Sequence, residues 1–306
     1  MTGRRLVVVA GPTGTGKSDL ALDLAQRLDG EVVNADSMQL YRGMDIGTAK
    51  LPPADRRGVA HHLLDVLEVT QTATVAGYQR AARAAVEQIL ARGRTPVLVG
   101  GSGLYIRAVV DAIEFPATDP AVRARLEDEL SAVGPAALAD RLARADPQAA
   151  VMIGPANGRK IVRALEVIEL TGRPFNATMP TYDAPSYDAV QLLLDRETGE
   201  LDLRLEQRVH RMVADGLLDE VRRLDALGLR QGVTASRALG YAQFLQVVDG
   251  AVTVEQAAAT TAQATRRFVR RQRSWFRRDP RPIALDAARP DLLDRALEAV
   301  AGASVG

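Results

Sequence analysis

Gly11, Gly16, Lys17 and Ser18 stand in the spacing G-x-x-x-x-G-K-S, within Gly11-Pro12-Thr13-Gly14-Thr15-Gly16-Lys17-Ser18. Glycines let a backbone curl until successive N–H groups point into one concavity, an anion site at a helix N-terminus. A lysine there adds a point charge for phosphate oxygens, and a serine hydroxyl is a ligand for Mg²⁺. The motif requires a strand before it and a helix after it. Both are written in the sequence, as LVVVA from Leu6 to Ala10 and as the amphipathic run DLALDLAQRL after Ser18. The ligand implied is a polyphosphate.

Further candidates lie on the strands that would flank this loop. Asp36, in VVNADSMQLY, sits at the carboxyl end of a second apolar run, the edge where open α/β sheets bind ligands. A carboxylate there can act as general base, or it can cap the following turn. Ser102, in VGGSGLY, sits in another glycine turn at the same edge, as a substrate contact or as a helix N-cap. Arg204, Arg208 and Arg211 recur at i, i+4 and i+7 on one helix face. Such a row either clamps phosphate or forms a solvated surface beside Glu206. Residues 266–281, RRFVRRQRSWFRRDPR, are dense in arginine with one acid, Asp279. Phe268, Trp275 and Phe276 are interleaved among them, a pattern suited to stacking on bases and gripping phosphates, or to anchoring a basic helix on a core.

Absences narrow the class. The chain has no cysteine, which removes disulfides, thiolate metal sites and cysteine nucleophiles. Its three histidines, His61, His62 and His210, form no zinc-binding spacing, and His61-His62 reads as a structural or mobile connection rather than a catalytic one. The strand PVLVG ends without the acid with which P-loop ATPases hold Mg²⁺, and no N-K-x-D guanine signature occurs. A motor ATPase or GTPase is therefore disfavoured. A small-molecule kinase and a nucleotide-regulated RNA-binding protein remain as rivals. No apolar run approaches the roughly 20 residues that span a bilayer. With no secretory leader either, a cytoplasmic monomer without membrane contact is expected. A net charge of +1 over 306 residues, with one dense basic segment, points to a localised anionic partner such as nucleic acid.

The elements that must position these groups alternate strand and helix up to about residue 115, which predicts a parallel sheet covered by helices. From about residue 116 to Gly172 the chain reads as helices only, with Asp119 and Asp146, each before a proline, as N-caps. A loose segment follows from Arg173 to Asp188. AVQLLLD then reads as a buried strand that rejoins the first sheet, so the helical stretch is an insertion. The expected organisation is a P-loop α/β core of residues 1–115 and 186–306 with an all-helical insertion domain of residues 116–185. Residues 200–228 read as one helix, and further helices follow up to Arg278. The tail after Pro282 carries no readable role.

GPTGTGKS, NADSMQLYRGMDIGTAK, HHLLD, VGGSGLY, DPAVRARL, NGRKIVRALEV, RVHRM, ASRALGY and RRQRSWFRR occur in that order from about Arg5 to Arg278. The set resembles the bacterial tRNA dimethylallyltransferases, the NADS-x-x-x-Y-x-x-M-D-I-G-T-A-K block being the most specific part. The resemblance implies transfer of a dimethylallyl group from its diphosphate to N6 of the adenosine 3′ of the anticodon. Gly11, Pro12, Thr13, Gly14, Thr15, Gly16, Lys17 and Ser18 would then hold dimethylallyl diphosphate rather than ATP, with Mg²⁺ on Ser18. Asp36 becomes the base for the adenine amine, and Arg208 a second clamp on the diphosphate beside Lys17. Asp36, Ser37, Met38, Gln39 and Ser102 would meet the base, Ser102 standing where the family usually has threonine. Arg123, Arg159, Lys160, Arg163, Arg237, Gly240, Tyr241, Arg270, Arg271, Arg273, Trp275 and Arg277 would contact the tRNA anticodon stem-loop. The zinc finger of the family's longer members is not encoded here.

Overall fold

All five residues of strand β1 (Leu6–Ala10) are buried, and their side chains alternate between two cores. Leu6, Val8 and Ala10 pack on one side of the sheet and Val7 and Val9 on the other, the period-2 geometry of a strand covered on both faces. The computed structural model describes residues 5–116, 118–175 and 185–302. The chain divides into two compact units, Met1–Val110 with Ser186–Gly306, and Asp111–Pro185.

The first unit is built on a six-stranded sheet in the order β3-β2-β4-β1-β5-β6, every pairing parallel. Its strands are β1, β2 (Gly30–Asn34), β3 (His61–His62), β4 (Thr95–Gly100), β5 (Ala189–Asp195) and β6 (Ile283–Asp286). β1 is central, with Val8 in register with Leu98 of β4 on one side and Gln191 of β5 on the other. AVQLLLD thus rejoins the first sheet, as its apolar run predicts. Two helices, α2 (Val75–Ala91) and α3 (Gly103–Val110), cover one face through Val86, Ile89, Ile106 and Val109. On the opposite face, α1 (Lys17–Arg27) contributes Leu20, Ala21 and Leu24.

Three features of this unit differ from the sequence reading. Residues 200–228 form two helices, α7 (Thr198–Ala214) and α8 (Leu217–Ala226), broken at Gly216, whose φ of 97° is left-handed backbone that glycine adopts freely. The tail after Pro282 forms β6 and a last helix, α11 (Leu292–Gly302), which extend the sheet and its second face. The histidine pair is itself the edge strand β3. A third core joins α7 and α8 to α9 (Tyr241–Val248) and α10 (Val254–Phe276), around Met44, Val209, Leu217 and Phe244. Among the described residues, no helix is long and apolar enough to cross a membrane.

The second unit contains α4 (Pro120–Ala145), α5 (Pro147–Ile153) and α6 (Gly158–Thr171) around Leu126, Leu138, Leu142, Ile161 and Leu165. Asp119 caps α4 by accepting from the N–H groups of Ala121 and Val122, and Asp146 caps α5 by accepting from Ala149. α4 bends at Gly134 before Pro135, so its two halves were readable as separate helices. Of the segment read as loose, residues 176–184 lie outside the described residues. Glu166 is fully buried and receives Arg123, Arg163 (2.7 Å) and the Asp119 N–H (3.2 Å). Burial alone would raise its pKa, but the two guanidiniums hold it below the usual carboxylate range. Removing one member of a buried pair strands the others, so Glu166→Ala should cost about 3 kcal/mol. Thermal unfolding followed by limited proteolysis would register this as early melting and cleavage confined to residues 111–185.

Candidate active site

The loop after β1 takes its shape from glycine. At Gly11 φ is 147° and an added Cβ would lie 2.2 Å from the Leu194 carbonyl oxygen, so no side chain fits against β5 there. Gly14 and Gly16 follow at φ of 86° and 90° and turn the chain into the first turn of α1. The Pro12 carbonyl accepts from Thr15 Oγ1 (2.9 Å) and Lys17 Nζ (2.6 Å). Lys17 is therefore held on its own loop.

This loop, the end of β2, the turn after β4 and one face each of α7 and α10 line a cavity of about 900 Å³. That volume is at the upper end of the roughly 300–1,000 Å³ found for small-molecule sites, room for two reacting partners. Arg204, Arg208 and Arg211 all line it, so the row at i, i+4 and i+7 borders the cavity, with Arg208 half-buried and Arg204 and Arg211 exposed. Glu206 lies instead toward Arg266, at 3.9 Å. Arg208 donates to the Thr48 carbonyl at 3.3 Å, and Gln39 Nε2 donates to the same oxygen at 3.2 Å.

Asp36 is set in place by its neighbours. Asn34 Oδ1 accepts from the Asp36 N–H, and Asn34 Nδ2 donates to the carbonyls of Asp36 and Leu63. Asp36 Oδ1 accepts from the Met38 N–H at 2.8 Å, an Asx turn that leaves Oδ2 free of that bond. Asp36 therefore caps its own turn and also lines the cavity. Tyr78 donates to the Asn34 carbonyl at 3.0 Å and packs on Tyr105, closing the floor beneath this turn.

Charge in the cavity is strongly coupled. Burial and then the Arg208 guanidinium push the Lys17 ammonium down to about 7, against the opposing pull of Asp36. Arg208 is lowered too, by burial and then Arg211, with Asp36 again raising it. Two cations this close are suited to a polyanion. A bound diphosphate favours the protonated lysine, so above pH 7 its binding takes up a proton and below about pH 6 it does not. Titration calorimetry of pyrophosphate at pH 8, in two buffers of different ionisation enthalpy, should read a greater proton uptake for the wild type than for Lys17→Met.

Of the residues singled out from sequence, Thr13, Gly14, Gly16, Lys17, Ser18, Asp36, Ser37, Met38, Gln39, Ser102, Arg208, Arg237, Gly240 and Arg271 line the cavity. Thr15 is fully buried behind the loop. Tyr241 corrects the sequence reading: its side chain is fully buried and donates to Glu220 Oε1 at 2.5 Å, so it cannot touch RNA. Burial, and then the Glu220 charge, drive its hydroxyl well above the ordinary tyrosine range. Arg273 is mostly buried and bound to Asp195 at 2.7 Å, and Trp275 packs against the core beside Phe276. Arg270 and Arg271 on α10 and Arg277 just after it are exposed, with Arg271 stacked over Phe268 at 5.7 Å. In the helical unit Arg159 and Lys160 are exposed, while Arg123 and Arg163 are engaged by Glu166.

Sequence reasoning missed two positions. Glu220 is buried and accepts from the N–H groups of Asp45, Ile46 and Gly47 as well as from Tyr241, so it shapes the loop that carries Thr48. Gln272 is buried between the phosphate loop and the turn after β4. Glu220 looks like any helix-surface acid, and Gln272 is hidden in an arginine run. Neither carries a local signal.

The comparisons agree with this architecture. The family model for IPP transferase matches residues 39–279. A "tRNA dimethylallyltransferase" of Saccharopolyspora erythraea is 64% identical over 288 residues, covering 94% of this chain and 93% of that protein. One of Streptomyces avermitilis is 61% identical over 290 residues, covering 95% and 93%. The crystal structure of the Bacillus halodurans tRNA isopentenylpyrophosphate transferase is 38% identical, covers 98% of this chain and 97% of that one, and superposes with a TM-score of 0.73. A eukaryotic dimethylallyltransferase acting on tRNA is 26% identical with a TM-score of 0.84, covering 98% and 79%. With a six-stranded parallel sheet, a phosphate loop and this degree of identity over nearly its whole length, the chain belongs to the IPP transferase family, the tRNA dimethylallyltransferases.

Proposed function

We propose that this enzyme transfers the dimethylallyl group of dimethylallyl diphosphate to N6 of the adenosine 3′ of the anticodon in tRNA, releasing diphosphate. The observation that carries the reading is the convergence on one cavity of the phosphate-loop lysine, the Arg208 row and the Asp36 carboxylate. The loop N–H groups, Lys17 and Arg208 bind the diphosphate. Asp36 Oδ2 accepts the N6 proton as the N6–carbon bond forms and the allylic carbon–oxygen bond breaks, its electron pair leaving on the diphosphate. Negative charge grows on that leaving group, so fixed cations and N–H donors act where the transition state needs them.

The donors present fit Mg²⁺. Ser18 offers a hard hydroxyl oxygen on the cavity wall, and among the described residues no group of three His, Cys, Asp or Glu could hold a metal alone. Mg²⁺ commonly uses one or two protein groups plus substrate phosphates and waters. Bound there, it would neutralise the departing diphosphate.

The adenine must leave its stack to reach Asp36, and Ser37, Met38, Gln39 and Ser102 are the wall it would meet. Exposed Arg270, Arg271 and Arg277, with Arg237 at the cavity and Arg159 and Lys160 on the helical unit, are suited to the backbone of the anticodon stem-loop. The test uses purified enzyme, Mg²⁺, radiolabelled dimethylallyl diphosphate and unmodified tRNA. Label on N6 of that adenosine is expected. Transfer of a γ-phosphate from ATP instead would establish a kinase, and tRNA binding without label a binding module.

A further inference from the structure

Gln272 is a buried residue of α10, a helix that also carries exposed Arg270, places Arg271 at the cavity and ends at the exposed cap residue Arg277. Its side chain is buried, and both ends of its amide are used. Oε1 accepts from the Thr13 backbone N–H at 3.1 Å, inside the phosphate loop. Nε2 donates to the Gly101 carbonyl at 2.9 Å, in the glycine turn after β4. The amide thus ties together two loops that leave neighbouring strands and line the same cavity, 259 residues away in sequence from the first of them. The fit is close. A Cβ added at Gly101 would lie 2.4 Å from Gln272 Nε2, so the turn has room for this amide only because residue 101 has no side chain.

The arrangement has a chemical logic. A phosphate loop works by aiming N–H groups inward, and any one that turns away is lost to the anion. The Thr13 N–H is bound to Gln272, so it does not join the anion contacts expected of it. It is an anchor point, and fixing it fixes the direction of the N–H groups that follow from Gly14 to Ser18. A loop held in its binding shape before the ligand arrives avoids the ordering cost that a loose loop meets on binding.

We infer that Gln272 is a positioning residue for the diphosphate: it holds the phosphate loop against the β4 turn, and so joins the RNA-facing helix to the anion cradle. The inference rests on the reading of this cavity as a diphosphate site. Only an amide satisfies both partners. A carboxylate accepts from Thr13 but offers the Gly101 carbonyl no proton and adds charge beside an anion. An aliphatic side chain leaves both groups unpaired.

The test is calorimetric titration of inorganic pyrophosphate, with Mg²⁺, into the wild-type protein and into Gln272→Leu, Gln272→Glu and Gly101→Ala. Affinity for unmodified tRNA and thermal melting are measured on each. Gln272→Leu should weaken pyrophosphate by about tenfold, the scale of one well-placed buried hydrogen bond left unmade. Gln272→Glu should weaken it more, and tRNA affinity should stay within twofold for both. Gly101→Ala, which displaces the amide while leaving it in the chain, should reproduce the loss. Steady-state kinetics should place the defect in KM for dimethylallyl diphosphate, with KM for tRNA unmoved. Unchanged pyrophosphate affinity in folded Gln272→Leu overturns the inference and leaves the site reading intact. Equal loss of pyrophosphate and tRNA binding together with a collapsed melting temperature also overturns it, because Gln272 is then only a core residue. Wild-type protein that ignores pyrophosphate overturns the site reading and the inference with it.

Discussion

Asp36→Ala should lower prenyl transfer by about 10²–10⁴-fold, the range that a positioned general base contributes. Affinity for dimethylallyl diphosphate and for tRNA should change by less than fivefold. The alanine variant removes two things at once, because Asp36 Oδ1 also closes the turn on the Met38 N–H. Asp36→Asn separates them: the amide oxygen still accepts from Met38, but the group no longer takes a proton at neutral pH. If proton transfer is its role, asparagine is as inactive as alanine. Single-turnover label transfer decides the matter, and an asparagine variant within tenfold of wild type would reduce Asp36 to a turn cap.

Lys17→Met should lower kcat/KM for dimethylallyl diphosphate by about 10²–10³-fold, as loss of one donor to a developing anion does elsewhere. Arg208→Ala should fall in the same range. Arg208→Lys should not restore activity, because an ammonium cannot both donate to the Thr48 carbonyl and present a planar fork to a diphosphate. The double variant should fall well short of the product of the two losses, since both side chains serve one leaving group. Full additivity, or effects below tenfold, would show that the two cations do not act on the same anion.

Much of this architecture is legible because its physics is local. Strands buried on both faces must be runs such as LVVVA, and a phosphate loop must place glycines where φ is positive. Asp119 and Asp146 declare two helix starts through an aspartate–proline pair. The break at Gly216 was missed because one glycine in a helical pattern is commonly tolerated, and here two separately packed helices override the continuous periodicity. β6 has four residues, three of them exposed, too weak a pattern to announce a strand without its partner β5. Tyr241 shows the opposite error. A glycine–tyrosine pair beside arginines suits an RNA contact or a core aromatic equally well. What separates them is Glu220, a neighbour in space but not in sequence, which gives the buried hydroxyl its partner. Gln272 and Glu220 were invisible for the same reason.

The strand that launches the phosphate loop also imposes an order of events on synthesis. β1 is made before both of its flanking partners, residues 95–100 and residues 189–195. Half of its edge therefore waits while the whole helical unit is translated, and the sheet gains its last strand only near residue 286. Such long-range parallel pairing folds slowly and leaves sticky, unsatisfied backbone in the nascent chain. The cavity in turn is whole only once α10, which ends at Phe276, has been made.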